Sequence, residues 1–112
     1  MRCDPGDGLP PHIDNPHEIE APADVLARRL VANLYLDSWN GWEDEEGSYD
    51  GGLFKLHIRQ SRSRFRGAEP DATRTVSIAG RAGTLLVYSA TVMHEVARVQ
   101  SGRRRTVVAF FV

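Results

Sequence analysis

Three residues, His12, Asp14 and His94, have the types and spacing to hold a metal ion. His12 and Asp14 are separated by Ile13 alone, and His94 lies near the other end of the chain, ahead of Glu95, Val96 and the run Arg103-Arg104-Arg105-Thr106. Two imidazoles and one carboxylate form the ligand set that occupies one face of an octahedral Fe(II) ion and leaves three positions open for substrate and oxygen. The chemistry on offer is that of a non-haem iron centre. Residues two apart on a β-strand point to the same side, so His12 and Asp14 are expected to share a strand and one ion, with Ile13 turned into apolar packing. Taken alone, an HxD pattern is common, and its ordinary reading is a strand edge or a turn. The ordinary reading of His94 is a hydrogen-bonded core histidine. The remaining histidines have bland settings, His17 in a Pro-rich turn and His57 on the outward face of a strand, and neither is expected to bind metal.

The elements that must position these residues are short. Gly, Pro and Asp cluster at 4–11 and again at 14–24, which brackets the HxD strand with turns. Residues 23–29 suit a helical turn. Between Leu30 and Leu36 the residues alternate as a strand with both faces apolar, which suits a barrel wall buried on both sides. Phe54, Leu56 and Ile58 alternate with Lys55, His57 and Arg59, as in a half-exposed strand. Residues 84–88, 93–99 and 106–112 read as further strands, the last almost wholly apolar. Many short strands, Gly-rich turns and little helix point to an all-β sandwich or barrel.

A chain of 112 residues, 41% hydrophobic and 26% charged, has the composition of one soluble globular domain. Its formal net charge of -1 gives no general attraction to nucleic acid or anionic membrane. The single Cys3 cannot form an internal disulfide, and no thiolate cluster is present for structural zinc. No apolar run approaches the roughly 18 residues of a bilayer span, and the start Met-Arg-Cys-Asp-Pro lacks an apolar signal core. The expected setting is cytoplasmic or nuclear, without membrane association.

Several blocks in order carry a more specific message: Pro5-Gly6-Asp7-Gly8, His12-Ile13-Asp14-Asn15-Pro16, Tyr35-Leu36-Asp37 with Trp39, Gly51-Gly52 before an alternating strand, His94-Glu95-Val96, and Arg104-x-Thr106. From about residue 3 to the end, the chain resembles the catalytic domain of the 2-oxoglutarate and Fe(II)-dependent dioxygenases, specifically the prolyl 4-hydroxylase branch and its oxygen-sensing members. The resemblance implies a double-stranded β-helix, the jelly-roll form of an all-β fold. Family members usually carry helices and a strand ahead of the HxD that support the major sheet. Residues 1–112 are therefore expected to form a single catalytic domain that lacks this support, or the C-terminal part of a longer protein.

By the same resemblance His12, Asp14 and His94 are the iron ligands. The family arginine that grips the far carboxylate of 2-oxoglutarate follows a Gly by two residues, which selects Arg104 after Gly102, and a hydroxyl two further on is Thr106. A planar guanidinium suits that role because it meets a carboxylate with two parallel hydrogen bonds. Strand alternation agrees, setting Arg104 with Thr106, Val108 and Phe110 on one face and Arg103 with Arg105 on the other. The ordinary reading is that all three arginines form a solvated strand entrance.

Tyr35 matches the family tyrosine whose hydroxyl also reaches 2-oxoglutarate, and Phe54 would line the cosubstrate pocket. Asp4 stands where a tyrosine often precedes the family's Pro-Gly turn, and an inward anion there would oppose a dianionic cosubstrate. Arg28 matches in spacing a substrate-side arginine. The implied reaction uses Fe(II), 2-oxoglutarate and O2, with ascorbate as a possible reductant, to hydroxylate a substrate C–H with release of succinate and CO2. The implied partner is a proline-containing protein or peptide. The acidic segment of Glu43-Asp44-Glu45-Glu46 with Asp50 and the basic segment Arg59, Arg62, Arg64, Arg66 read first as solvated loops, and second as grips on a charged polypeptide. Two other readings stand: a nucleic-acid demethylating dioxygenase using that basic segment, though a second downstream arginine is missing, and a non-catalytic truncated barrel acting as a binding module.

Overall fold

The computed structural model describes residues 1–16, 21–59 and 73–112. Among these residues the elements run in chain order β1 (Arg2–Cys3), β2 (Leu9–His12), α1 (Ala23–Leu26), β3 (Leu30–Tyr35), β4 (Tyr49–Gly51), β5 (Phe54–Arg59), β6 (Thr73–Ile78), β7 (Leu85–Ser89), β8 (Met93–Val96), β9 (Val99–Gly102) and β10 (Arg104–Phe111). The ladders between these strands are antiparallel and form two four-stranded sheets, β1-β10-β3-β7 and β2-β8-β5-β6, with a separate β4-β9 ribbon. Alternation turns one side of each strand inward. Val31 and Tyr88 of the first sheet accordingly meet Phe54, Leu56 and Val96 of the second in one buried cluster. The fold is the expected all-β jelly roll. No helix among the described residues is long and apolar enough to cross a membrane.

Three expectations need correction. The strand expected over 93–99 is two strands in different sheets, because the chain leaves β5 after Val96. Val99 then exchanges backbone hydrogen bonds with the turn before β2, donating to Asp7 at 2.9 Å and accepting from Gly6 at 2.8 Å. The chain does carry a sign of this crossing: the buried positions run 94, 96, 99, a one-residue shift of phase that a single strand over 93–99 does not accommodate. The HxD does not lie wholly on a strand: β2 ends at His12, and Asp14 follows in a bend. Pro10 and Pro11 fall within β2, which is tolerated because β2 is an edge strand bonded only to β8.

The third correction concerns β3, whose outer face is covered only in part, Ala32 being buried there and Leu34 half-buried. Its inward residues Val31, Asn33 and Tyr35 are buried, whereas outward Leu30 is 46% exposed. Leu30 sits opposite Phe111, and Leu34 lies between Val107 and Leu85. Together these residues form an apolar outer face on the major sheet.

The end of β3 decides which arginine of the triplet turns inward. Asp37, 8% exposed, accepts two hydrogen bonds from Arg105, from Nε and Nη2, each 2.9 Å. That bidentate clamp holds Arg105 on the outer side, Arg103 is exposed, and Arg104 is buried. The hydrogen bonds from Arg105, followed by its charge, hold the Asp37 carboxyl below its ordinary value of 3.8 against the opposing effect of burial. A depressed folded pKa contributes stability that is present above the unfolded value and is lost as pH falls through the folded one. Acidification into that range is therefore expected to lower the thermal midpoint of the wild type more than that of Asp37→Asn, as measured by melts on both sides of the carboxylate range. Equal losses in the two proteins would show that the clamp contributes nothing.

Candidate active site

His12 at the end of β2 and His94 in β8 are register partners across the ladder, so the two imidazoles face each other with ring centroids 4.2 Å apart. Asp14, just beyond β2, closes the group: its Oδ2 lies 3.2 Å from His94 Nε2 and its Oδ1 3.6 Å from His12 Nε2. One ligand atom from each residue falls within 4.8 Å of the others, close enough for all three to hold one metal ion. The second nitrogen of each ring is engaged by backbone, His12 Nδ1 with the Pro10 carbonyl at 2.8 Å and His94 Nδ1 with the Val92 carbonyl at 2.9 Å. A carbonyl can only accept, so each Nδ1 carries a proton and each Nε2 is the ring atom turned to the common point, which is how metal-binding imidazoles are oriented.

The electrostatics suit a cation. Burial alone would raise the Asp14 pKa, but the hydrogen bond with His94, with the charges of His94, His12 and Arg28, brings it below 3.8. Burial would lower that of His94, but the hydrogen bond to Asp14, the Val92 carbonyl and the Asp14 charge together raise it above 6.5. A bound divalent ion would take over the role the proton plays here and keep the carboxylate ionised.

A cavity of about 300 Å³ contains all three residues and extends to Arg104, with Phe54, Val96 and Phe110 among its apolar walls. Phe54 stacks on His94 at 5.6 Å and fixes that ring from the β5 side. A larger groove of about 530 Å³ along residues 6–10 and 95–98 touches none of the three candidate ligands. Arg104 is 1% exposed, and its Nε, Nη1 and Nη2 have no hydrogen-bond partner among the described residues. The same holds for the buried hydroxyls of Tyr35, Tyr49 and Thr106. The guanidinium carbon lies 5.2 Å from the centre of the Tyr35 ring. Burying a cation without partners costs several kcal/mol by the usual desolvation argument, roughly 3–5 when a buried pair loses one member. An arginine in this state is shaped for an anion, and a carboxylate fits its fork.

Tyr49 and the Asn33–Tyr88 pair were not anticipated from the sequence. Asn33 Nδ2 donates to the Tyr88 hydroxyl at 3.2 Å, and both residues line the cavity. A lone amide on the inward side of an apolar strand was the available signal, since a buried polar group needs partners. For Tyr49 the signal was weaker, an aromatic residue shortly before Gly51-Gly52.

Arg28 is half-buried at the rim, its guanidinium carbon 3.9 Å from the centre of the Phe110 ring. Asn15, next to Asp14, ties this segment down by donating from Nδ2 to the Leu26 and Arg28 carbonyls, both at 2.9 Å. Asp4 does not face the cavity: it pairs with Arg2 at 3.1 Å on the surface, so the anticipated repulsion is absent. His57 stands apart, bonded to Glu95 at 2.8 Å and Thr75 at 3.1 Å. Asp44 and Glu45 of the acidic segment pair with Arg81, at 3.1 and 3.4 Å. His17, Arg62, Arg64 and Arg66 lie outside the described residues.

An antiparallel jelly roll with two histidines and a carboxylate on its inner face, and a buried arginine in the same cavity, defines a class of oxygenase scaffold. The whole chain, residues 1–112, matches the model of the 2OG-Fe(II) oxygenase superfamily, and it belongs to that family. No curated protein and no solved structure matches it. Membership implies a dioxygenase-type reaction that uses Fe(II), 2-oxoglutarate and O2.

Proposed function

We propose that the chain hydroxylates a C–H bond of a prolyl residue in a protein or peptide, with His12, Asp14 and His94 holding Fe(II) and Arg104 holding 2-oxoglutarate. The observation that carries this reading is the buried, unpartnered Arg104 guanidinium in the same cavity as the three candidate ligands. When bound, the iron and 2-oxoglutarate supply the oxidation: one atom of O2 enters the substrate as hydroxyl, the other enters the cosubstrate, which leaves as succinate and CO2.

The chain's own residues bind and orient. His12 and His94 present Nε2 because their Nδ1 protons are given to Pro10 and Val92, and Asp14 adds the charge that balances the ion. Arg104 receives the distal carboxylate in a bidentate pair, and the Thr106 and Tyr35 hydroxyls donate to it. Burial raises the Tyr35 pKa despite the opposing effect of Arg104, so its phenol stays protonated and able to donate. Phe54 and Val96, both buried, and the more exposed Val108 and Phe110 give the cavity apolar walls. Arg28 at the rim, over Phe110, is placed to meet a polypeptide entering towards Asp14. The prolyl substrate and the role of Arg28 rest on the resemblance described above together with this placement.

The test is an anaerobic titration with Fe(II) and 2-oxoglutarate, followed through the visible charge-transfer band of the chelate, and then aerobic incubation with proline-containing peptides. We expect the band, and then a gain of one oxygen on proline matched by succinate. Absence of the band from folded protein would overturn the oxygenase assignment for this chain. A band with oxygen inserted only at other residues or in a nucleic acid would overturn the prolyl reading alone.

A further inference from the structure

Tyr49 lies outside every motif that singled out the other site residues, yet it is 1% exposed with a hydroxyl that makes no hydrogen bond among the described residues. Burial raises its pKa, the Arg104 guanidinium opposes this by its charge and its hydrogen-bonding approach, the Tyr35 hydroxyl adds to the rise, and the nearby Gly80 backbone also opposes it. The two phenols and the guanidinium are therefore neighbours, and at neutral pH both phenols retain their protons. A guanidinium only donates, and although a phenol oxygen can accept from it, each phenol also keeps a proton for which the described residues offer no acceptor. They need one shared acceptor.

The backbone makes room for this arrangement. Gly52 has φ of +61°, and a Cβ there would sit 3.3 Å from both Arg104 Cδ and Tyr49 Cε2. Tyr49 is itself held opposite Gly102 in the β4-β9 ribbon, where φ is +76° and a side chain would strike the Ser48 carbonyl. The two glycines let the ribbon close tightly enough to bring a tyrosine beside Arg104.

We infer that Tyr49 is a third hydroxyl donor to the distal carboxylate of the cosubstrate, completing with Tyr35 and Thr106 a ring of donors around the Arg104 pair. This rests on the reading of the cavity as a 2-oxoglutarate site. Selectivity follows, because a keto acid without a distal carboxylate leaves the donors unsatisfied.

The experiment compares 2-oxoglutarate with 2-oxopentanoate, which has the same keto acid end and no distal carboxylate, by anaerobic Fe(II) titration of the wild type and Tyr49→Phe. The wild type is expected to prefer 2-oxoglutarate strongly. Tyr49→Phe is expected to weaken 2-oxoglutarate about tenfold or more, the usual loss for one hydrogen bond to a charged group, and to leave 2-oxopentanoate unchanged. The ligand-free thermal midpoint should hold or rise, since the substitution removes an unsatisfied buried hydroxyl. A preference in the wild type that Tyr49→Phe leaves intact would overturn the assignment while the cosubstrate reading stands. Equal weakening of both acids, with a lowered midpoint, would overturn it too, by making Tyr49 purely structural. No preference in the wild type would remove the cosubstrate reading and this inference with it.

Discussion

Substitution of His94 by alanine is expected to abolish Fe(II)-dependent turnover and to weaken metal binding by more than about 100-fold, since disturbing only an outer partner of a metal-bound histidine typically costs 10–100-fold. The argument is geometric. His94 stands between Asp14 at 3.2 Å and the Val92 carbonyl at 2.9 Å, and it is stacked on Phe54, so no described imidazole other than His12 can reach the same point. His57, the nearest alternative along the sheet, is committed to Glu95 and Thr75 on the outer side. Metal affinity measured by competition with a chelator decides the matter. Retention of full affinity in His94→Ala would remove the triad from consideration, whereas folded wild type that holds no iron would favour the binding-module reading.

Replacement of Arg104 by methionine, close in volume and uncharged, should separate the two costs that meet at this residue. Without ligand, the wild type carries a buried cation with no partner, so Arg104→Met is expected to be at least as stable; replacing buried ionic groups by apolar ones is often neutral or stabilising by about 1–4 kcal/mol. With metal and saturating 2-oxoglutarate the order should reverse. A ligand present at 100 times its Kd stabilises the folded state by about 2.7 kcal/mol, and the variant should lose most of that. Its Kd for 2-oxoglutarate should rise by about 100-fold or more, because two charge-assisted hydrogen bonds of roughly 1.5–3 kcal/mol each are removed. Thermal melts with and without the acid give both numbers. Equal stabilisation of wild type and variant by 2-oxoglutarate would mean that the distal carboxylate goes elsewhere.

The direction of each strand face was legible in the chain because side-chain alternation is a local property. Phe54 and Leu56 on one side of β5 with Lys55 and His57 on the other, and Arg104 opposed to its two neighbours, follow from the two-residue repeat alone. The candidate ligands were legible for another reason: histidine, aspartate and histidine in family order carry their chemistry in their types. What the pattern could not reveal was where strands change partners. The break between β8 and β9 shows in the chain only as a one-residue shift of phase from Val96 to Val99, and the new partner is decided by long-range backbone pairing with the turn at residues 6–7. Burial of the outer face of β3 was likewise overestimated, because leucines on a strand report what could be covered rather than what covers them.

The sequence by itself determined the class of fold and set Arg104 on the strand face opposite Arg103 and Arg105, since these depend on residue type and a spacing of two, while the resemblance to the family singled out the candidate metal set and Arg104. Tertiary structure alone decided that Asp37 captures Arg105, that Asp4 turns to the surface, and that Tyr49 arrives beside Arg104. These outcomes depend on contacts between residues 53 to 68 positions apart, or, for Asp4, on which way one side chain turns. No local pattern encodes them, because a buried charge selects its surroundings only once the sheets have closed around it.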